Sequence, residues 1–289
     1  MKIILAQHFG LCFGVRDAIA QAKALARDGS LTILGELVHN PIVREQLRAQ
    51  GVEEGSLDDA TASSTRVMIT AHGASDLQRE KWTSAGFDLA DATCPLVRHA
   101  HEQLKQLVAA GYFPVVIGKA GHVEVRGLTE DFPEAVVLDS LADVSKLPSR
   151  PRYGVISQTT QPIEHVRRLV EALRAQHYDA EVLFIDTVCK PTKDRQSSLH
   201  ALIAQADTIV VVGGRHSNNT RQLVETCRAA GCRTIHIERA DEIRASDFSQ
   251  ANTVGVTAGT STLLETVLSV VRRLEEISPH QYNRPKSNK

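Results

Sequence analysis

Short apolar runs alternate with helix-period segments along almost the whole chain, and this alternation restricts the fold more than any other feature. The extended runs are Lys2–Ala6, Leu31–Leu34, Arg66–Thr70, Pro114–Ile117, Ala135–Leu138, Tyr153–Ile156, Glu181–Ile185, Thr208–Val212, Thr234–Ile237 and Thr253–Val256. Between them the spacing predicts helices at Val15–Arg27, Pro41–Ala49, Ala74–Ala85, Leu96–Ala110, Glu124–Asp131, Ile163–Gln176, Thr192–Ala206, Thr220–Ala230 and Ser261–Glu275. Uniformly apolar strands separated by crossover helices belong to parallel sheets covered on both faces. The expected class is therefore α/β, and ligands in such sheets gather at the C-terminal strand ends.

The alternation carries an internal repeat. Cys12, Cys94 and Cys189 each follow an extended run and precede a helix. His39 follows Cys12 by 27 residues, His122 follows Cys94 by 28, and Ser217 follows Cys189 by 28, each in a strand–Gly–polar loop. A further strand then ends in Thr70-Ala71-His72-Gly73, Ser157-Gln158-Thr159-Thr160 or Thr257-Ala258-Gly259-Thr260-Ser261. The expected architecture is three pseudo-threefold-related α/β units, at 13–94, 95–188 and 189–277, with residues 1–12 joining the third. The strand ends would face a common centre. The tail 278–289 lacks apolar content and is expected to lie outside any core.

Composition narrows the function classes. Lys plus Arg number 33 against 34 Asp plus Glu, so no overall basic field points to nucleic acid. The longest apolar runs are strand-sized, which argues against a membrane span. Met1–Gln7 reads as a buried strand, without the long apolar region of a signal peptide. The 5 cysteines are an odd number with no export signal, which favours reduced thiols in the cytoplasm. Cys227 and Cys232 fall outside the repeat and read as packing thiols.

A cysteine between a strand's end and a helix N-terminus is biased toward thiolate by backbone N–H groups and the helix dipole. Three such thiolates at one centre suit three occupants. Zinc takes three cysteines, but structural zinc usually draws on closely spaced cysteine pairs, which are absent here. A purely structural thiol cluster is the second reading. The third, favoured by the spacing, is a [4Fe–4S] cluster with three protein ligands and one open iron. Around it the repeat offers His39, His72 and His122, then Ser217, Asn219 and Ser261, groups suited to phosphate oxygens. Ser217 and Ser261 also read as helix N-caps. Glu124 is the one carboxyl in the set and a natural proton donor, with Thr159 placed to orient it.

Gly10-Leu11-Cys12-Phe13-Gly14-Val15, Val38-His39-Asn40, Ala71-His72-Gly73, Asp91-Ala92-Thr93-Cys94-Pro95-Leu96-Val97, Gly121-His122-Val123-Glu124-Val125-Arg126-Gly127, Gln158-Thr159-Thr160, Arg195-Gln196, Ser217-Asn218-Asn219 and Thr257-Ala258-Gly259-Thr260-Ser261 together resemble the IspH/LytB family. That family comprises the 4-hydroxy-3-methylbut-2-enyl diphosphate reductases, last in the methylerythritol phosphate route to isoprenoids. The resemblance implies a trefoil around a [4Fe–4S] cluster held by Cys12, Cys94 and Cys189. It implies diphosphate binding by His39, His72, Ser217, Asn218, Asn219 and Ser261, with His122 nearby. It implies proton delivery by Glu124 supported by Thr159, and ferredoxin or flavodoxin as electron donor. The chain departs from the family pattern at Val123, Pro191, Asn218 and Thr260–Leu263. Those departures leave open a paralogue acting on a related allylic substrate. A Lewis-acid enzyme of the quinolinate synthase type and a cluster-based sensor are the remaining alternatives.

Overall fold

The computed structural model describes residues 1–38 and 40–278. The predicted tail and His39 therefore fall wholly or partly outside the described residues. Twelve strands form three four-stranded sheets, parallel at every pairing. The first sheet contains β2 (Leu31–Leu34), β3 (Val52–Gly55), β4 (Arg66–Ile69) and β5 (Asp88–Asp91), in the order β3-β2-β4-β5. The second contains β6 (Phe113–Ile117), β7 (Val136–Leu138), β8 (Arg152–Ser157) and β9 (Glu181–Phe184), in the order β7-β6-β8-β9. The third contains β10 (Thr208–Val212), β11 (Arg233–Ile237), β12 (Thr253–Ala258) and β1 (Lys2–Leu5), in the order β11-β10-β12-β1.

These are one topology three times, with β1 taking the place that β5 and β9 hold in their sheets. In each, the chain runs from a central strand to one flank and returns on the other side. The order thus reverses between β2 and β4, β6 and β8, and β10 and β12. Such a reversal opens a crevice at the C-terminal strand ends. The two polar loops of each repeat leave from the two strands that flank it.

Both faces of the sheets are covered. Val115 and Ile117 join one core with α7 (Ile163–Gln176), while Val116 joins another with Leu104 and Leu107 of α4 (Pro95–Ala109). In the third sheet, Val210 and Val212 pack toward α10 (Leu264–Ile277). Ile209 and Val211 pack toward α8 (Lys190–Ile203) and α9 (Asn218–Ala229). Successive strand side chains face opposite ways, so a strand buried on both faces must be apolar throughout. Each buried Val or Ile contributes about 1.5–3 kcal/mol.

The other helices are α1 (Phe13–Arg27), α2 (Pro41–Arg48), α3 (Asp76–Ser84), α5 (Val123–Thr129) and the short α6 (Leu141–Val144). β3 was not expected, because only Val52 of Val52-Glu53-Glu54-Gly55 is buried and an edge strand lacks the apolar run. α10 begins at Leu264 rather than Ser261, with Leu263 at the N-cap. Ser261 is therefore not a helix cap.

The chain divides into two compact bodies. One holds the described residues of Met1–Cys12, His39–Pro41 and Asp194–Lys289, with the third sheet. The other holds Phe13–Val38 and Ile42–Lys193, with the first two sheets.

Candidate functional site

In the larger body the predicted residues are linked through hydrogen bonds at equivalent strand ends. The Cys94 N–H donates to the Ala71 carbonyl at 3.0 Å, and the Cys189 N–H donates to the Thr159 carbonyl at 2.9 Å. Ala71 and Thr159 each lie two residues beyond the last paired residue of their strands, β4 and β8. The same backbone bond thus seats a cysteine beside the second polar loop of two repeats. Cys94 is the N-cap of α4, with Pro95 at N1, where proline's missing N–H costs no helical bond. Cys189 Sγ lies 3.1 Å from Thr192 Oγ1. No disulfide joins any cysteine of the described residues.

The loop before Cys94 is held by charge. Burial alone would raise the Asp91 carboxyl, but bonds from Thr93 and from the Arg79 guanidinium (3.0 Å) outweigh it and keep it below its usual value. Arg98 adds an ion pair at 3.2 Å. Next to Cys94 stands Gly14 of α1, where a Cβ would come within 2.6 Å of Cys94 Sγ. Only glycine leaves the thiol its present space.

Glu124 is 1 % exposed. Its Oε1 accepts the Thr159 N–H at 2.6 Å, and the Thr159 hydroxyl adds a second bond. Burial disfavours the charged form more than these bonds support it, so the carboxyl is pushed up from 4.5 to about 7. Glu124 is therefore about half protonated at neutral pH, able both to hold a proton and to give it up. His122 caps α5, its Nδ1 accepting the Glu124 N–H at 3.1 Å. That bond leaves Nε2 as the protonated nitrogen of a neutral ring. The His72 ring meets His122 edge-on at 5.5 Å. His72, His122, Glu124, Thr159, Cys94 and Cys189 thus share one body.

The smaller body holds Cys12, Ser217, Asn218, Asn219 and Ser261. Ser217 caps α9, its Oγ accepting the Thr220 N–H at 3.3 Å. Asn219 Oδ1 accepts the Thr260 N–H at 3.1 Å. Asn218 Nδ2 and Ser261 Oγ are buried with no hydrogen-bond partner among the described residues. Orphaned buried polar atoms are costly, and a pair on adjoining loops fits a polar ligand. Gly259 lets the loops close, since a Cβ there would meet Thr220 Oγ1 at 2.1 Å. Asn40, which the sequence reading quoted within Val38-His39-Asn40 but gave no role, is 8 % exposed and donates through Nδ2 to the Ser261 carbonyl at 2.8 Å. Its place in that motif was the available signal.

Cys227 is fully buried in the core between α8 and α9, and burial pushes its thiol up to about 12, as a packing cysteine requires. A cavity of about 550 Å³ is lined by Phe113, Arg150 and Arg152 at the N-terminal ends of β6 and β8, the opposite end from Glu124. No helix of the described residues is long and apolar enough to cross a membrane.

Comparison with known proteins shows what the whole chain is similar to. A 4-hydroxy-3-methylbut-2-enyl diphosphate reductase of Trichlorobacter lovleyi is 38% identical over 96% of this chain and 99% of its own. The protein of that name from Geotalea uraniireducens is 35% identical, over 97% of this chain and 100% of its own. A solved structure of (E)-4-hydroxy-3-methyl-but-2-enyl diphosphate reductase, described as the terminal enzyme of the non-mevalonate pathway, aligns with a TM-score of 0.70 at 32% identity, covering 96% of this chain and 100% of that one. The E-1-hydroxy-2-methyl-but-2-enyl-4-diphosphate reductase of Plasmodium falciparum shares the fold, with a TM-score of 0.88 at 24% identity over 95% of this chain and 88% of that one. The family model described as LytB protein matches residues 3–275, so the chain belongs to the LytB protein family.

Proposed function

We propose that the protein reduces (E)-4-hydroxy-3-methylbut-2-enyl diphosphate to isopentenyl and dimethylallyl diphosphate. The observation that carries this reading is Glu124: a buried carboxyl, its hold on a proton strengthened by burial and its position fixed by Thr159, in a family of allylic diphosphate reductases. Cys12, Cys94 and Cys189 would hold a [4Fe–4S] cluster. The donor set fits it: three thiols at equivalent strand ends outside any disulfide, with Gly14 making room beside Cys94 Sγ. When bound, such a cluster supplies electrons and an open iron that acts as a Lewis acid. With each sheet and its helices taken as one unit, 13–94, 95–188 and 189–277 plus 1–12 would be the domains of a trefoil.

The protein's own residues do the rest. Asn218 Nδ2 and Ser261 Oγ, two donors with no partner among the described residues, and Ser217 and Asn219 beside them, take diphosphate oxygens. His39 and His72 add imidazole donors, with His122 nearby. Removing the allylic hydroxyl as water takes two electrons and two protons; one proton leaves with the hydroxyl and one ends on the allyl carbon. Glu124 holds a transferable proton at its carboxyl, and Thr159 fixes the direction in which it is offered. His122 sets the backbone from which Glu124 projects. The electron donor is ferredoxin or flavodoxin, and the compartment is the cytoplasm.

The test is anaerobic turnover of the reconstituted protein with reduced methyl viologen and the hydroxylated substrate. Dye oxidation with formation of both five-carbon diphosphates, lost in Glu124→Gln, is the expected result. A spectroscopically intact cluster without turnover would overturn it in favour of a paralogue acting on a related allylic substrate.

A further inference from the structure

Glu124 gives up a proton in every cycle and, at 1 % exposure, cannot recover it directly from bulk water. The structure holds a route. Beside Glu124 lies a small cavity lined also by His72, Thr93, Arg98 and His101, with about 10 Å³ open to water centres. That is room for about one water molecule, and the lining offers it several polar partners. His101, on α4 two turns beyond Cys94, is 7 % exposed. Its Nε2 lies 3.0 Å from Asp131 Oδ2, outside hydrogen-bond geometry in this state. Asp131 in turn lines the outer cavity of about 550 Å³ described above. An outer cavity, a carboxylate, an imidazole, a one-water cavity and the acid thus follow one another within a single body.

Resting on the reductase reading, we propose that Asp131 and His101 form a proton relay that recharges Glu124 from the outer cavity through one water. An imidazole can accept a proton at one ring nitrogen and release another from its second, which a fixed amide or carboxylate pair cannot do alone. Nε2 faces Asp131, which leaves Nδ1 for the cavity side. The resting ring carries its proton on Nδ1: it gains one at Nε2 from the Asp131 side and gives one from Nδ1 through the water to Glu124, so one proton passes inward per cycle, and reorientation of the ring readies it for the next. Neither His101 nor Asp131 touches substrate in this scheme; both act through Glu124.

The surrounding charges suit a relay. Burial lowers His101, and Lys105 and Arg79 lower it further, while Asp131 and Asp76 pull the other way. The ring is thus neutral at rest and accepts a proton only in passing. Asp76, His101 and Asp131 also place potential ligand atoms within 4.8 Å of one another. They are already served, however: Asp76 by Lys105 and Arg79, and Asp131 by the Asp76 and Leu77 N–H groups at 2.8 and 3.0 Å. No cation is needed to balance them.

A purely structural role, in which His101 and Asp131 join α4 to α3, makes different predictions. His101→Gln preserves size and polarity but cannot relay. The relay predicts that kcat falls about tenfold, with KM unchanged, a larger solvent deuterium isotope effect and partial rescue by added imidazole. Asp131→Asn, which keeps an oxygen for the α3 N–H groups, changes in the same direction. Near-ultraviolet circular dichroism and thermal unfolding establish that both variants are folded. Without substrate, the infrared carboxyl band of Glu124, assigned by its loss in Glu124→Gln, follows a pH jump about tenfold more slowly in His101→Gln and reaches the same end point. An unchanged rate after the jump, or a loss of kcat with no isotope effect and no rescue, overturns the relay. A slowed band in a protein without turnover on the diphosphate would keep the relay and reject the reductase reading.

Discussion

The loops after β6 and β10 occupy the same place in their sheets and differ in one respect that matters chemically. Ile117 pairs with Ser157 and Val212 with Ala258. Counting from those pairs, Glu124 corresponds to Asn219, Thr159 to Thr260 and His122 to Ser217. The hydrogen bonds correspond too. Thr159 N–H reaches Glu124 Oε1 at 2.6 Å, and Thr260 N–H reaches Asn219 Oδ1 at 3.1 Å. His122 and Ser217 each cap the helix that follows. One scaffold thus presents a side-chain oxygen in the same way twice, once on a carboxyl and once on an amide. The carboxyl can donate and recover a proton, whereas the amide offers N–H groups at every pH. The repeat supplies the geometry, and one functional group divides the labour.

The largest effect expected from breaking this contrast is on turnover. Glu124→Gln converts the second loop to the chemistry of the third while keeping the Thr159 bond. A general acid contributes about 10²–10⁴ in rate, so kcat should fall by that order while KM for the diphosphate changes little. Steady-state assays of cluster-loaded wild type and variant decide this. A loss of KM alone would move the proton-donor role elsewhere.

How much of this was legible in the chain can be judged from the same two loops. The Cys–polar spacing gave the repeat, because a strand and its crossover helix need nearly constant numbers of residues. The apolar runs located ten of the strands. β3 escaped because an edge strand buries only Val52, and β5 because Asp88 and Asp91 leave it no apolar run. Glu124 and Thr159 could be suspected from sequence, but their equivalence to Asn219 and Thr260 could not. It depends on which strands pair and in what register, both of which are non-local. Ser261 was misread as a cap for a similar reason. A serine before an apolar helix resembles a cap, yet the helix starts at Leu264 with Leu263 at its N-cap.

The second effect is on stability. The folded protein binds the Glu124 proton more tightly than the unfolded chain, since burial raises its pKa from 4.5 to about 7. The favourable contribution is complete below pH 4.5, is lost as pH rises through about 7, and amounts to about 3 kcal/mol at most. Glu124→Gln should remove that decline. Its unfolding free energy in urea should exceed that of wild type at pH 8 and approach it at pH 5. Parallel pH profiles for the two proteins would show that the carboxyl is ionised in the fold at little cost.

The reverse exchange, Asn219→Asp, gives the third loop the charge of the second. The Thr260 N–H still has its acceptor, so the fold should hold, but an anion now stands beside the diphosphate donors and one N–H pair is gone. A hydrogen bond to a charged group is worth about 1.5–3 kcal/mol, so KM should rise roughly tenfold to a hundredfold with a smaller change in kcat. Binding of inorganic diphosphate by calorimetry separates affinity from turnover. Unchanged affinity would remove Asn219 from the diphosphate set.

The smallest effect tests the caps. Ser217→Ala deletes the acceptor of the Thr220 N–H at the start of α9 and should cost about 1 kcal/mol of stability, as cap removal generally does. If Ser217 also binds diphosphate, added inorganic diphosphate will raise the melting temperature of wild type more than that of the variant, because a ligand stabilises the fold only as far as its affinity allows. His122→Ala removes the corresponding acceptor for the Glu124 N–H. There the bond orients the acid, so the change should appear mainly in kcat and its pH dependence. Two caps at one topological position would then differ in the same way as the residues they precede, one in binding and the other in proton transfer. Equal responses of both variants to diphosphate and to pH would show that the caps are structural alone, leaving the division of labour to Glu124 and Asn219.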